Sequence, residues 1–483
     1  MSDPLPAVRS ALAGRPAWLV GGALRDRVLD RPTADVDVVV DGDAEGAARA
    51  VAGATARAAC FALSEVFGAW RVVARDRSWQ VDVEPLRAGS LEADLRLRDF
   101  TVNAIAEPIA GGALIDPLGG LADLAAHRLR MVAPSAFADD PLRVLRLTRV
   151  AVELDLEPDR ETLRAARAQA EELRSCSAER VFMELRRIIS ARGALRGLDL
   201  METVGATAVV LPELQALRGV EQSRFHHSDV YGHTLEVLER TIALTSASVG
   251  EQPDLGGVLG EHDGSKIGQQ VAELLSAPLA DELTRGEALR WGALLHDAAK
   301  PLTRAVRPAD GRVTFIGHDS RGGELARGVL ARLRASERLR AHVAALVRHH
   351  LRLGFLVHEP QPLSRRTVFG YLLACSPVEV DVTLLSVADR LATRGDRAQE
   401  SIDAHLAVAR ELLADALRWR LEGPPPLLLR GDELARELGI STGPRVGELL
   451  EELAEAQYAG DVLTRDQALA YARGRLLGLE QSE

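Results

Sequence analysis

Cysteine is scarce in this chain: Cys60, Cys176 and Cys375 are the only three in 483 residues, too widely separated to form a disulfide or thiolate-metal pattern. A reducing compartment fits that usage. Aromatics make up only 4%, and Lys266 and Lys300 are the only lysines. No apolar run approaches the length of a membrane span, and the opening MSDPLPAVRS lacks an apolar signal core. The expected location is the cytoplasm, with no membrane contact. An excess of positive charge is also missing: the net charge is −11, which excludes coating of nucleic acid by bulk charge but not local contact through clustered arginines. What is present is 47% hydrophobic residues with abundant Ala, Leu and Arg, a helix-favouring mixture. At 483 residues the chain exceeds a single core, so three or four domains are expected.

The densest chemistry lies near the start, in Trp18-Leu-Val-Gly-Gly-Ala-Leu-Arg-Asp26 followed by Asp35-Val-Asp37. Trp18 to Val20 reads as a strand, Gly21-Gly22 as a turn, Ala23 to Leu29 as a helix, and Asp35 opens a second strand. Side chains two apart on a strand share a face, so Asp35 and Asp37 present paired carboxylates suited to one or two divalent cations. Gly22 permits close approach of backbone to phosphate, the following helix offers unpaired N–H groups, and Arg25 can fork onto phosphate oxygens. Asp82 in Val81-Asp82-Val83 is a candidate third carboxylate. In Arg98-Asp-Phe-Thr-Val-Asn103, Arg98 is a triphosphate candidate, while Asp99 and Asn103 are expected to pin the turn.

Further along, Asp139-Asp140-Pro-Leu-Arg143-Val-Leu-Arg146-Leu-Thr-Arg149 opens a helix, with Asp139 expected as its N-cap. Asp140 and Arg143 stand one turn apart, and Arg146 and Arg149 follow at steps of three. A carboxylate accepts from an exocyclic amine and a guanidinium donates to a ring nitrogen. Cytosine and adenine offer that combination; guanine and uracil offer a carbonyl beside an N–H and are refused. Such a helix selects C and A without a template strand.

The run GGALRD, DVD, RDFTVNA, DPLGGLADL, DDPLRVLRLTR and AERVFMEL, over residues 17–215, resembles the class II tRNA nucleotidyltransferase and bacterial poly(A) polymerase superfamily. The resemblance implies a polymerase-β-like head with magnesium on Asp35 and Asp37. It also implies Gly22, Arg25 and Arg98 around the triphosphate, and Asp140, Arg143, Arg146 and Arg149 in a base-reading helix. The implied partners are tRNA, CTP and ATP. The tail segment from LRGDELARELG to LTRDQAL resembles the part of this family that grips the tRNA elbow. Two departures stand out. Leu97 replaces the first of two arginines common before the Asp of RDFT, and only Pro85 to Ser90 separates VDVE from LEADLRLRD. Relatives that add all of CCA carry a longer flexible loop there, so addition of CC alone is an open outcome beside CCA.

Most histidines lie in the second half. His296-Asp297 follows the apolar ALRWGALL, with His233 upstream and Asp389 downstream; His318 and His350 could complete a second metal site. Their order resembles the HD phosphohydrolase superfamily over about 220–405, implying a divalent transition metal or magnesium. His226, His227, His342 and His349 are not expected as ligands.

The expected architecture is α+β and multidomain: a small nucleotidyltransferase head with a mixed sheet (1–125), whose strands are read at WLVGG, ADVDVVV, AWRVVA, WQVDVEPL, TVNAIA and GALIDP, a helical neck (126–215), an HD-type helical domain (216–405) with an unpatterned insertion at 248–270, and a helical tRNA-binding tail (406–483). The expected activity is template-independent addition of C and A to tRNA 3′ ends. The alternatives are a poly(A) polymerase and, from another class, an HD phosphohydrolase with an inactive RNA-binding head.

Overall fold

The computed structural model describes residues 4–31, 35–55, 58–64, 68–222, 228–245, 264–393 and 398–480. His226, His227 and positions 248–263 of the expected insertion lie outside the described residues. The chain forms two compact units, Met1–Val210 and Leu211–Glu483.

The first unit is built on a six-stranded sheet in the order β3-β4-β5-β2-β1-β6. The strands are β1 (Ala17–Val20), β2 (Asp35–Val40), β3 (Ala59–Ser64), β4 (Ala69–Val73), β5 (Gln80–Pro85) and β6 (Ala106–Pro108). β2 pairs with β5 in parallel and the other neighbours are antiparallel, so the sheet is mixed. Alternation along β2 sends Val36, Val38 and Val40 into a core with Leu19, Val81 and Val83, beneath the helices Leu5–Ala11 and Ala44–Ala54. Val39 faces the other way, into a smaller cluster with Val20, Leu95, Ala104 and Ala106. The period of two puts Asp35 and Asp37 on this second face.

Three local expectations are corrected. TVNAIA does not begin as a strand: Thr101–Asn103 is a turn of 3-10 helix, and only Ala106–Pro108 pairs with β1. Side-chain bonds from Phe100 N–H and Asn103 to Asp99, and from Thr101 to Asp123, hold that turn in place of a ladder. GALIDP contributes only one bridge, Ile115 to Ala106. Asp139 is not an N-cap: it ends the short helix Ala136–Asp139, and the next helix is Arg143–Leu154. Asp140 between them is extended (φ −148°, ψ 100°), the conformation forced on a residue that precedes proline. β3 went unread because it is an edge strand with exposed Phe61 and Leu63 and little alternation.

In the second unit, Val230–Thr245, Arg285–Leu295, His318–Arg332, Glu337–His349 and Glu379–Ala392 are the helices that carry or adjoin the histidines. Thr284 opens the second of these with a reciprocal capping box to Glu287. Residues 264–270, expected as insertion, belong to the helix Gly264–Ser276. The expected boundary at 405/406 falls inside one helix, Ala398–Glu422, which ends at Gly423 with φ +75°. Beyond it, Leu434, Leu449, Leu453 and Leu469 form a separate apolar cluster in the tail.

Gly120 marks where the head tolerates no side chain. A Cβ there would lie 2.2 Å from the Thr101 carbonyl oxygen, a backbone atom of the turn that follows Arg98. Gly120→Ala is expected to lower the stability of the first unit by roughly 1–3 kcal/mol, read as a reduced thermal midpoint.

Candidate active site and candidate metal centre

The Gly21-Gly22 pair ends β1, and Gly21 adopts φ +72° at the first position of the helix Gly21–Val28. A Cβ on Gly21 would lie 2.7 Å from Asp37 Oδ2 and 3.2 Å from Arg98 Nη1. The Asp37 carboxylate and the Arg98 guanidinium therefore meet against the glycine bend. Gly21, rather than the expected Gly22, makes this approach possible; around Gly22 only Arg25 comes near. Arg98 Nε is buried without a hydrogen-bond partner among the described residues, and Nη2 lies 3.7 Å from Asp94.

Carboxylates crowd this face. β2 and β5 run in register, Asp35 opposite Gln80 and Asp37 opposite Asp82. Burial, then Asp82, Glu84 and Asp35, raise the Asp37 pKa to about 6 against the opposing pull of Arg98. A half-buried carboxylate whose charge its acidic neighbours disfavour is relieved by a divalent cation, so Asp37, with Asp35 on the same strand face, fits a metal. Asp82 is less available: Arg71, its cross-strand neighbour, holds both its oxygens at 2.7 Å.

Arg25 also has protein partners. It donates to Asp26 and, at 2.5 Å, to Asn103, and is only 8% exposed. Asp99 accepts from Phe100 N–H, Asn103 and Arg146, so Asp99 and Asn103 pin the turn as expected. Burial works against the Asp99 charge, but Arg146 and these donors outweigh it and lower its pKa to about 2.

On Arg143–Leu154 the arginines divide their tasks. Arg143 donates to the carbonyls of Leu97, Arg98 and Ala136, at 2.8, 3.2 and 3.0 Å, tying this helix to the segment that carries Arg98. It does not meet Asp140, whose Oδ1 accepts from Leu142 N–H and whose Oδ2 accepts from Arg180. Arg146 lies 3.7 Å from Glu184, and Arg149 donates to Glu184 and Glu153. Arg180 and Glu184, both in AERVFMEL, were not singled out from the sequence; their spacing of four on one helix was the available signal.

In the second unit the structure brings all six expected ligands together. One oxygen of Asp297 stands 3.1 Å from His296 Nε2 and 3.8 Å from His233 Nε2, and the other 3.4 Å from His318 Nε2. Asp389 lies 3.0 Å from His233 Nε2. The ligand atoms of His233, His296 and Asp297 all fall within 4.8 Å of one another, as do those of Asp297, His318 and His350. His296, His318 and His350 each turn Nδ1 to a backbone carbonyl, of Ala293, Phe315 and Val347, at 2.8, 2.7 and 2.6 Å. That bond orients Nε2 towards the cluster, the arrangement seen in metal-ligating histidines. The Nε2 atoms of His296 and His318 are buried with no hydrogen-bond partner, an unfavourable state that a cation relieves. Burial opposes the Asp297 charge, yet His296 and Lys300 hold its carboxyl well below the usual range. His342 sits instead 3.7 Å from Asp381, and His349 accepts from Arg352, so neither joins the cluster. A cavity of about 480 Å³ opens beside it, lined by Gln222, Lys300, Phe315, His318 and Phe355 among others.

The raised Asp37 pKa has a consequence for stability. The folded state prefers the protonated acid, so this group's contribution is fully present below about pH 4 and is lost as pH rises through about 6. In protein stripped of metal, Asp37→Asn is expected to raise the thermal midpoint at neutral pH, by about 1–3 kcal/mol of stability. The gain should vanish on acidification below about pH 4, and added divalent cation should stabilise the unsubstituted protein more than the variant, because the histidine cluster is the same in both.

Residues 17–130 match the family described as the poly A polymerase head domain, and 155–217 that of the probable RNA and SrmB-binding site of polymerase A. The HD domain family matches residues 269–394. The A-adding tRNA nucleotidyltransferase of Deinococcus radiodurans is 36% identical over 470 residues, 95% of each chain. The CC-adding tRNA nucleotidyltransferase of Thermus thermophilus is 34% identical over 463 residues, 94% of this chain and 92% of that one. Among solved structures, an apo CCA-adding enzyme aligns over 97% of this chain and 94% of its own with a TM-score of 0.61 at 19% identity. The Thermotoga maritima CCA-adding enzyme complexed with tRNA aligns over 98% and 94%, with a TM-score of 0.58 at 19% identity. With its paired strand carboxylates, its arginine-bearing turn and relatives of this similarity along nearly its whole length, the chain belongs to the tRNA nucleotidyltransferase family.

Proposed function

We propose that this enzyme adds cytidine, as CC, to the 3′ ends of tRNA from CTP, without a template. The observation that carries the choice of CC is the connection from β5 to the helix Leu91–Leu95. Residues 86–90 form a pinned turn there: Leu86 N–H bonds Val40 O, Arg87 N–H bonds the buried Asp94, and Ser90 caps the helix by accepting from Ala93 N–H. A segment this short and bonded has no length to swing between a C-adding and an A-adding arrangement. Relatives from Thermus thermophilus and Geobacter sulfurreducens carry CC-adding names, while the Deinococcus radiodurans relative carries an A-adding one; all three names divide the CCA triplet, which supports partial addition rather than the choice of C.

Transfer forms a bond from the tRNA 3′-oxygen to the α-phosphorus and breaks the α–β phosphoanhydride, releasing pyrophosphate. A divalent cation, magnesium in this reading, would sit on Asp35 and Asp37 and neutralise charge on the attacking and leaving oxygens. Arg98, with an unpartnered buried Nε, offers its guanidinium to the triphosphate. Arg25 and Gly22 shape the adjoining helix start, with Arg25 held in place by Asn103. Asp140 accepts from the exocyclic amine of the incoming base, and Arg143, turned from its carbonyls, donates to the ring nitrogen. Arg146 and Arg149 hold the helix through Asp99 and Glu184.

Purified protein supplied with CTP, ATP and a tRNA ending at its discriminator base should yield ends terminating in CC. Complete CCA ends would overturn the short-turn argument, addition of a single A to tRNA already ending in CC would assign the opposite half-reaction, and polymers of A alone would favour poly(A) polymerase.

A second, metal-dependent phosphoester-hydrolysing activity is supported by two buried His/Asp groups that share Asp297 and by a cavity that reaches His318 and Lys300. Metal analysis after dialysis should show tightly held divalent metal that His296→Ala or Asp297→Ala removes and Asp35→Ala with Asp37→Ala does not. Loss of hydrolysis with those first variants, while tRNA extension persists, would complete the separation. If the Asp35 and Asp37 variants left tRNA extension intact, the head would be an RNA-binding module alone.

A further inference from the structure

The helix Ala178–Ser190 has no part in the chemistry above, yet it holds the base-reading helix at two points. Glu184, 7% exposed, engages both Arg146 and Arg149. One turn earlier, Arg180 donates from Nη2 to Asp140 Oδ2 at 2.9 Å. Residues four apart share a helix face, so one face of this helix addresses the acid and the arginines together. Asp140 needs that help. It lies in the extended link between two helices rather than inside either, and its side chain is 24% exposed. Left to its backbone, such a short side chain would sample several rotamers. With Oδ1 fixed by Leu142 N–H at 3.2 Å and Oδ2 by Arg180, its orientation is set, and each oxygen keeps a second lone pair for a donor from outside.

We propose that Arg180 is a specificity-determining positioning residue. It fixes the Asp140 carboxylate so that an incoming base must present an amine there, and it thereby stands in for the discriminating surface a template strand would supply. The inference rests on the reading of Asp140 as the acceptor for the base amine. Arg180 does not touch the reacting atoms; its effect passes through Asp140. A fixed acceptor repels the carbonyl of uracil or guanine, whereas a carboxylate free to rotate away tolerates it. Losing Arg180 should therefore weaken correct binding and relax discrimination together, with the rate of transfer from bound nucleotide little changed.

The test compares steady-state incorporation of CTP and of UTP onto the same tRNA by the full chain and by Arg180→Ala, Arg180→Lys, Asp140→Ala and Arg174→Ala. Arg174 is a control because it is exposed and, among the described residues, pairs with Glu171 alone. Arg180→Ala should raise KM for CTP about tenfold, the effect of losing one charge-assisted hydrogen bond, with kcat changed less than about threefold. The preference for CTP over UTP in kcat/KM should fall by about the same factor. Lysine at 180 should restore part of both. Arg180 is half-exposed, so an unchanged thermal midpoint is the expected sign that the variant folds. If Asp140→Ala collapses the preference while Arg180→Ala leaves it intact, the inference is overturned and the base-reading role of Asp140 stands. If Asp140→Ala also leaves it intact, that role fails, and the inference with it.

Discussion

The close approach of Asp37 to Gly21 and Arg98 governs the head. A half-buried carboxylate beside three other acids is an unstable arrangement unless positive charge enters its neighbourhood. Arg98 supplies part of that charge, and a divalent cation would supply the rest. The glycine bend is the geometric condition: any side chain at position 21 would occupy the space the carboxylate takes. The helix start, the acid pair and the RDF turn therefore meet at one point, although they are far apart along the chain.

Charge also organises the neck. Asp99, Asp123 and Glu184 are nearly or wholly buried, and each is surrounded by arginines. In a chain with only two lysines, the guanidinium serves as a planar multidentate brace, bonding carbonyls as readily as carboxylates. Arg143 shows this best, since its donors reach the backbone beside Arg98 and so link the helix Arg143–Leu154 to the segment that carries Arg98.

The HD cluster follows a different logic. Three histidines have their outer nitrogens occupied by backbone carbonyls from the preceding turn, and the inner nitrogens of His296 and His318 are left with no hydrogen-bond partner among the described residues. That orientation is set locally, at helix ends, before any long-range packing. The tertiary structure then has only to bring those ends together around Asp297.

Much of this was legible in the residues. Alternation along DVDVVV places both acids on one face, the three-residue steps of LRVLRLTR identify the neck helix, and HD with its distant His and Asp partners picks out side chains that meet in one buried cluster, because period and residue chemistry are local properties. The turn held by Asp99 and Asn103 was also readable, since such side chains bond their own backbone. Other features depended on through-space partners. The sequence suggested Asp82 as a metal ligand, but Arg71 stands across from it. It suggested Asp140 and Arg143 as a facing pair, but Pro141 breaks the helix between them, and Arg180 takes Asp140 while backbone carbonyls take Arg143. The sequence alone determined which groups could do the chemistry; the tertiary structure decided which of them are spoken for, because a charged side chain goes to whatever partner folding brings within reach.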